Sequence, residues 1–111
     1  MAITGQCHCG AITYRAEGPP VKSSTCDCLG CQRATGTLQV PFVTVRRAGF
    51  EITAGQPQRF KRESGEMCDR YGAWHFCPRC GGPLYWQGDD SDEVDLFAGT
   101  LDDRSVFQPE A

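Results

Sequence analysis

Apolar and polar positions alternate along this chain in short segments that turn residues repeatedly cut off. Ala11-Ile12-Thr13-Tyr14-Arg15-Ala16 alternates and stops at Gly18-Pro19-Pro20. Residues 37–45 are apolar and β-branched, and Pro41 within them predicts an edge strand or a bulge, because proline cannot donate to a ladder. Phe50-Glu51-Ile52-Thr53 stops at Ala54-Gly55, and residues 58–63 stop at Ser64-Gly65. Leu84-Tyr85-Trp86 precedes the polar turn Gly88-Asp89-Asp90-Ser91-Asp92, and residues 94–98 form the last strand candidate before Gly99. Strands of this length and spacing predict an antiparallel, mainly β fold. Only residues 28–34 read as helical, for about two turns ending at Gly36, and residues 101–104 could start a short turn. Residues 64–72 are the most loop-like stretch, and no internal repeat interrupts what reads as a single domain over 3–109.

A core this small commonly needs a staple, and the cysteines supply one. Seven of the eight fall into three groups: Cys7-His8-Cys9, Cys26-Asp27-Cys28-Leu29-Gly30-Cys31 and Cys77-Pro78-Arg79-Cys80. One ion must be reached by several thiolates at once, which such clustering permits, and the chain starts with nothing resembling an export signal. Reduced thiols holding zinc are therefore expected over a disulfide framework. Cys77 and Cys80, three apart and followed by Gly81-Gly82, have the form of a zinc knuckle. Cys7 and Cys9, two apart, leave the same face of an extended strand. These four suit a closed tetrahedral, structural site. Cys26, Cys28 and Cys31 offer three sulfurs with no fourth ligand nearby in sequence, which suits an open zinc site where water or a substrate thiol completes the shell. Cys68 or His75 are the rival ligands that would close it. His8 and His75 read otherwise as ordinary strand residues, and the acidic run 89–93 as a solvated turn.

The net charge of −3 weighs against nucleic acid, which calls for a basic footprint. No apolar run approaches the roughly 20 residues of a membrane span. A cytoplasmic protein acting on a small molecule is the expectation.

Three stretches then carry a family resemblance: residues 5–12 around Cys7-His8-Cys9, the run from Cys26 to Gly36, and Phe76-Cys77-Pro78-Arg79-Cys80-Gly81-Gly82-Pro83-Leu84. With Val94-Asp95 and Gly99-Thr100-Leu101-Asp102-Asp103, they resemble the glutathione-dependent formaldehyde-activating enzymes, to which centromere protein V also belongs. The resemblance implies a small folded-over antiparallel sheet, zinc-stapled and β-tent-like, with one short helix. It implies two zinc ions per chain, a structural one on Cys7, Cys9, Cys77 and Cys80 and a catalytic one on Cys26, Cys28 and Cys31. The implied activity is that of a carbon–sulfur lyase, condensing glutathione with formaldehyde to S-(hydroxymethyl)glutathione; a non-catalytic zinc-binding interaction module is the alternative. Zinc with three thiolates carries excess negative charge, which Arg33 or backbone N–H groups of residues 28–34 would temper. Asp27 stands where many relatives carry histidine, and many relatives continue beyond Pro109-Glu110-Ala111 into a His-x-Trp segment.

Overall fold

A computed structural model of the chain describes residues 2–62 and 70–109, together with the backbone at 68 and 69. Its elements run β1 (Ala2–Gln6), β2 (Thr13–Glu17), β3 (Lys22–Cys26), α1 (Leu29–Thr35), β4 (Val40–Arg46), β5 (Phe50–Ala54), β6 (Gln58–Lys61), β7 (Gly72–Phe76), β8 (Pro83–Gly88) and β9 (Glu93–Phe97), with short 3₁₀ turns between them. The mainly β, antiparallel expectation holds, with one short helix. Two sheets form: three strands in the order β1-β2-β5, and six in the order β3-β4-β9-β8-β7-β6.

The large sheet uses its two faces differently, and the register shows how. Directly opposed residues share a face, and so do residues two apart on one strand. Val43 and Val45 of β4, Val94 and Leu96 of β9 and Tyr85 of β8 pack against Ile3, Tyr14 and Ala16 of the small sheet. This is the main core, and it also takes in Cys7 and Cys77. The opposite face carries a second, aromatic core of Val40, Phe42, Trp74 and Phe97, with Cys26, Cys28, Cys31 and Trp86 around it. An antiparallel strand covered on both faces reads as a continuous apolar run, which explains why β4 does not alternate.

Pro41 is accommodated in an interior strand. Pairing of β4 with β9 begins at Phe42, so the ladder on that side has not started at Pro41. The edge expected from sequence is therefore local. Helix α1 lies one residue further along than its expected span of 28–34, with Cys28 as N-cap and Gly36 in the left-handed conformation at φ 78° as C-cap. Its N–H donates to the carbonyl of Gln32 at 2.7 Å.

Gly5 is where the small sheet tolerates no side chain. A Cβ there would lie 2.2 Å from the Tyr14 hydroxyl, since the Tyr14 ring crosses β1 to reach Thr100 Oγ1 at 2.7 Å. Gly5→Ala should therefore cost about 1–3 kcal/mol through overpacking. In a thermal melt that is a fall of roughly 4–8 °C per kcal/mol for a domain this size; an unchanged midpoint would show that both Tyr14 and the Thr100 carbonyl, 2.5 Å from that Cβ, can move aside.

Candidate metal centres

Two hairpin turns bring the first cysteine group together. After β1 the chain turns sharply: Gly10 N–H donates to the Cys7 carbonyl and Cys7 N–H to the Ile12 carbonyl, both at 3.1 Å. Between β7 and β8, Gly81 N–H donates to the Cys77 carbonyl at 2.7 Å and Cys77 N–H to the Gly82 carbonyl at 2.9 Å. Gly10 and Gly81 both sit at positive φ, 79° and 74°, where glycine is unstrained. The expected extended strand through Cys7 and Cys9 is thus replaced by a second knuckle, because β1 ends at Gln6. The two loops are built alike, and each aims backbone N–H groups at sulfur. Ile12 N–H donates to Cys7 Sγ at 3.3 Å, Arg79 N–H to Cys77 Sγ at 3.4 Å and Gly82 N–H to Cys80 Sγ at 3.4 Å.

All four sulfurs lie within 4.8 Å of one another, with Cys9 Sγ 3.7 Å from both Cys7 Sγ and Cys77 Sγ. The N–H of Gly82, joined by that of Cys9 and by neighbouring thiols, lowers the Cys80 thiol to about 6. Burial pushes Cys7 up, but the Ile12 N–H and the thiols of Cys77 and Cys9 outweigh it and leave the group lowered. Cys9 ends near 11 despite the Ala11 N–H, because burial and the surrounding sulfurs oppose its ionisation. Charge crowding lets some of these thiols ionise only at the expense of others. A soft divalent cation removes that conflict, so the donor set fits one.

The second group occupies the other face of the large sheet. Cys26 ends β3, Cys28 caps α1, and Cys31 lies one turn into it, its N–H 3.5 Å from Cys28 Sγ. Their sulfurs also fall within 4.8 Å of one another, so both cysteine clusters can hold a metal ion. Cys26 and Cys31 stand outside any disulfide, whereas Cys28 is disulfide-bonded. A sulfur in that state is no thiolate ligand, so metal loading here requires reduction.

The three cysteines wall a cavity of about 280 Å³ whose other sides are Phe42, Trp74 and Trp86, with Lys22, Ser24 and Asp95 also lining it. Trp86 depends on a glycine: a Cβ on Gly72 would lie 2.2 Å from its Cζ2. Gly72→Ala should displace this ring and shift the tryptophan emission spectrum; an unmoved spectrum would mean that the wall yields without rearranging. A larger cleft of about 620 Å³ opens beside Cys7, with His8, Thr35, Asp102 and Arg104 among its residues, but none of the three-cysteine group reaches it.

The remaining expected residues separate cleanly. Arg33 is exposed on α1 and does not line the cysteine-walled cavity. Asp27 and His8 are exposed as well. His75 belongs to neither sulfur group; it stacks on Tyr85 with ring centroids 4.2 Å apart and planes 10° from parallel. Burial lowers its pKa, with Arg59 adding to the effect. Closure of the second site by the Cys68 thiol concerns a side chain outside the described residues. Sequence reading missed Phe42, Trp74, Trp86, Lys22 and Asp95 as cavity walls. A usable signal was Thr44, a hydroxyl set between Val43 and Val45, which is buried and donates to Asp95 Oδ1 at 2.6 Å.

Comparison with known proteins identifies the family. The family described as glutathione-dependent formaldehyde-activating enzyme matches residues 2–111. The chain belongs to this family. A Halomonas elongata protein, assigned to the same family activity by name alone, is 29% identical over 119 aligned residues, covering 99% of this chain and 72% of its own length. A crystal structure of a Rhodobacter sphaeroides protein superposes with a TM-score of 0.71 at 23% identity, covering 96% of each chain, and so shares the fold. The family name refers to an enzyme that acts on glutathione and formaldehyde. Among the described residues, no helix is long and apolar enough to cross a membrane.

Proposed function

We propose that the protein is a zinc-dependent enzyme of the carbon–sulfur lyase type, joining the thiol of glutathione to formaldehyde to give S-(hydroxymethyl)glutathione. The observation that carries this reading is the contrast between the two sulfur groups. Cys7, Cys9, Cys77 and Cys80 supply four sulfurs, enough for a tetrahedral ion, with Cys7 and Cys77 buried in the main core, and would hold the structural zinc. Cys26, Cys28 and Cys31 supply three sulfurs beside a cavity, and would hold a second zinc with one position open to that cavity. A zinc ion there would lower the pKa of a thiol that shares its coordination, keeping the sulfur ionised at neutral pH.

The cavity supplies the rest. Phe42, Trp74 and Trp86 exclude water from the reacting sulfur and provide apolar contact for the carbon chain that bears it. In the reaction the sulfur lone pair forms the C–S bond, the C=O π pair moves onto oxygen, and that oxygen takes the proton the thiol gave up. Arg33, exposed outside the cavity, would act on the site's charge only at a distance. A reducing, cytoplasmic setting suits a site that needs Cys28 reduced.

Metal content and turnover together test the assignment. Protein purified without added zinc and then treated with a thiol reductant should take up two zinc ions per chain, against one without reductant. Reduced, loaded protein should then speed exchange between ¹³C-formaldehyde and its glutathione adduct above the uncatalysed rate, as read by exchange NMR. Two bound zinc ions with no acceleration would sink the enzymatic reading; one zinc under reducing conditions would sink the second site.

A further inference from the structure

Lys22 and Asp95 stand on the cavity's rim in a fixed relation that the thiol chemistry leaves unused. The large sheet aligns Lys22, Thr44, Asp95, Trp86, Trp74 and Phe60 directly across six strands, each opposite the next. All six therefore share one face, the face that bears the cysteines. Neighbouring strands lie about 4.8 Å apart, so the backbones of Lys22 and Asp95 are about 10 Å apart with Thr44 between them. The Thr44 hydroxyl holds one carboxylate oxygen of Asp95 and leaves the other to accept from a ligand. Among the described residues, neither Lys22 nor Asp95 joins an ion pair; those formed are Arg15–Glu17 and Lys61–Asp89. A cation and an anion placed this way around one opening match a group that carries both charges.

We propose that this rim recognises the zwitterionic amino-acid head of a γ-glutamyl thiol, Lys22 taking the α-carboxylate and Asp95 the α-ammonium. The inference rests on the reading of the same cavity as a thiol site, and specifies which end of the thiol substrate enters and what selects it. Length is the deciding quantity. Lys22 and Cys26 are four residues apart on β3, about 13 Å along an extended strand. In glutathione, seven bonds separate the sulfur from the α-carbon of the γ-glutamyl head, a reach of roughly 9 Å at ordinary bond lengths of about 1.5 Å. The flexible Lys22 side chain closes the remaining gap. Free cysteine has only two bonds between these atoms and cannot span from the sulfurs to the rim. The glycyl end of glutathione reaches almost as far but carries no ammonium, so it would pair with Lys22 and leave Asp95 unanswered. Between the two ends, Phe42 and Trp86 offer apolar walls to the γ-glutamyl methylenes.

S-methylglutathione tests this without calling on turnover or on metal, because its sulfur is capped. Its binding to wild-type protein is followed by the fluorescence of Trp74 and Trp86, beside the analogue that lacks the α-amino group. Asp95→Asn should weaken S-methylglutathione about tenfold or more, the scale of a lost charge-assisted contact, and leave the des-amino analogue unchanged. Lys22→Gln should weaken both ligands alike. Equal weakening of both ligands by Asp95→Asn would show that the carboxylate acts only through Thr44 and the sheet. Failure of the wild type to bind S-methylglutathione, or no preference for it over the des-amino analogue, would also overturn the proposal. Because no C–S bond is made in this assay, the recognition can hold even if the lyase reading fails.

Discussion

Cys77→Ser is expected to leave the protein largely unfolded, with the far-ultraviolet dichroism of its sheets lost and one zinc ion fewer per chain. Cys77 is 1% exposed and Cys7 2%, both inside the core that joins the two sheets. The four sulfurs span from the turn after β1 to the turn before β8, so one ion would tie the start of the chain to its C-terminal half. Structural zinc contributes about 10–16 kcal/mol of apparent binding free energy in small zinc-dependent folds. The net stability of a whole domain is only about 5–15 kcal/mol. Losing one ligand therefore removes an amount comparable to everything the fold has in reserve. A serine hydroxyl is also a poorer ligand than a thiolate and is left in an apolar surrounding. A strong chelator should act in the same direction on the unmodified protein. If Cys77→Ser keeps its sheet signal and melts within a few degrees of the wild type, the four-sulfur group is not what closes the fold.

Much of this arrangement could be read from the residues, and the gaps have physical causes. The helix came through to within one residue at each end, because Cys28 can accept from the backbone as an N-cap and glycine takes the left-handed position at Gly36 without strain. The last strand was legible because Val94 and Leu96 alternate with Asp95 over one buried face. β3 was not among the strand candidates, beyond an extended segment leading into the helix. Its sequence, Lys22-Ser23-Ser24-Thr25-Cys26, offers no apolar stripe, because β3 is an edge strand whose inward face looks into a cavity rather than a core. β1 was hidden by Gly5, whose missing side chain makes room for Tyr14, a contact that only the paired strands reveal. The sulfur groups were legible as groups because metal ligands cluster in sequence. The aromatic wall was not, since Phe42, Trp74 and Trp86 come from three strands and meet only through the register.

Cys26→Ser should do the reverse of Cys77→Ser, sparing the fold and removing the reaction. Cys26 is half-buried at the end of an edge strand and belongs to the aromatic cluster rather than the core between the sheets. With the second site emptied in both proteins, the unfolding midpoints should lie within a few degrees, in keeping with the ordinary cost of a substitution that opens no core cavity. The acceleration of adduct formation should fall by about 10²–10³-fold at pH 7, combining lost thiol activation with lost positioning. The activation part has a signature in pH. A free thiol with a pKa near 8.5 is only about 3% ionised at pH 7, so a site that supplies thiolate gains roughly 30-fold there. That gain shrinks as pH rises through 8.5, because the free thiol then ionises unaided. The defect of Cys26→Ser relative to wild type should accordingly be largest near neutral pH and narrow by about that factor towards pH 10, down to the part due to positioning. A defect that stays constant from pH 7 to 10 would mean that the three cysteines hold the substrate without activating its sulfur. A melt that collapses alongside activity would place them with the four in a purely structural role.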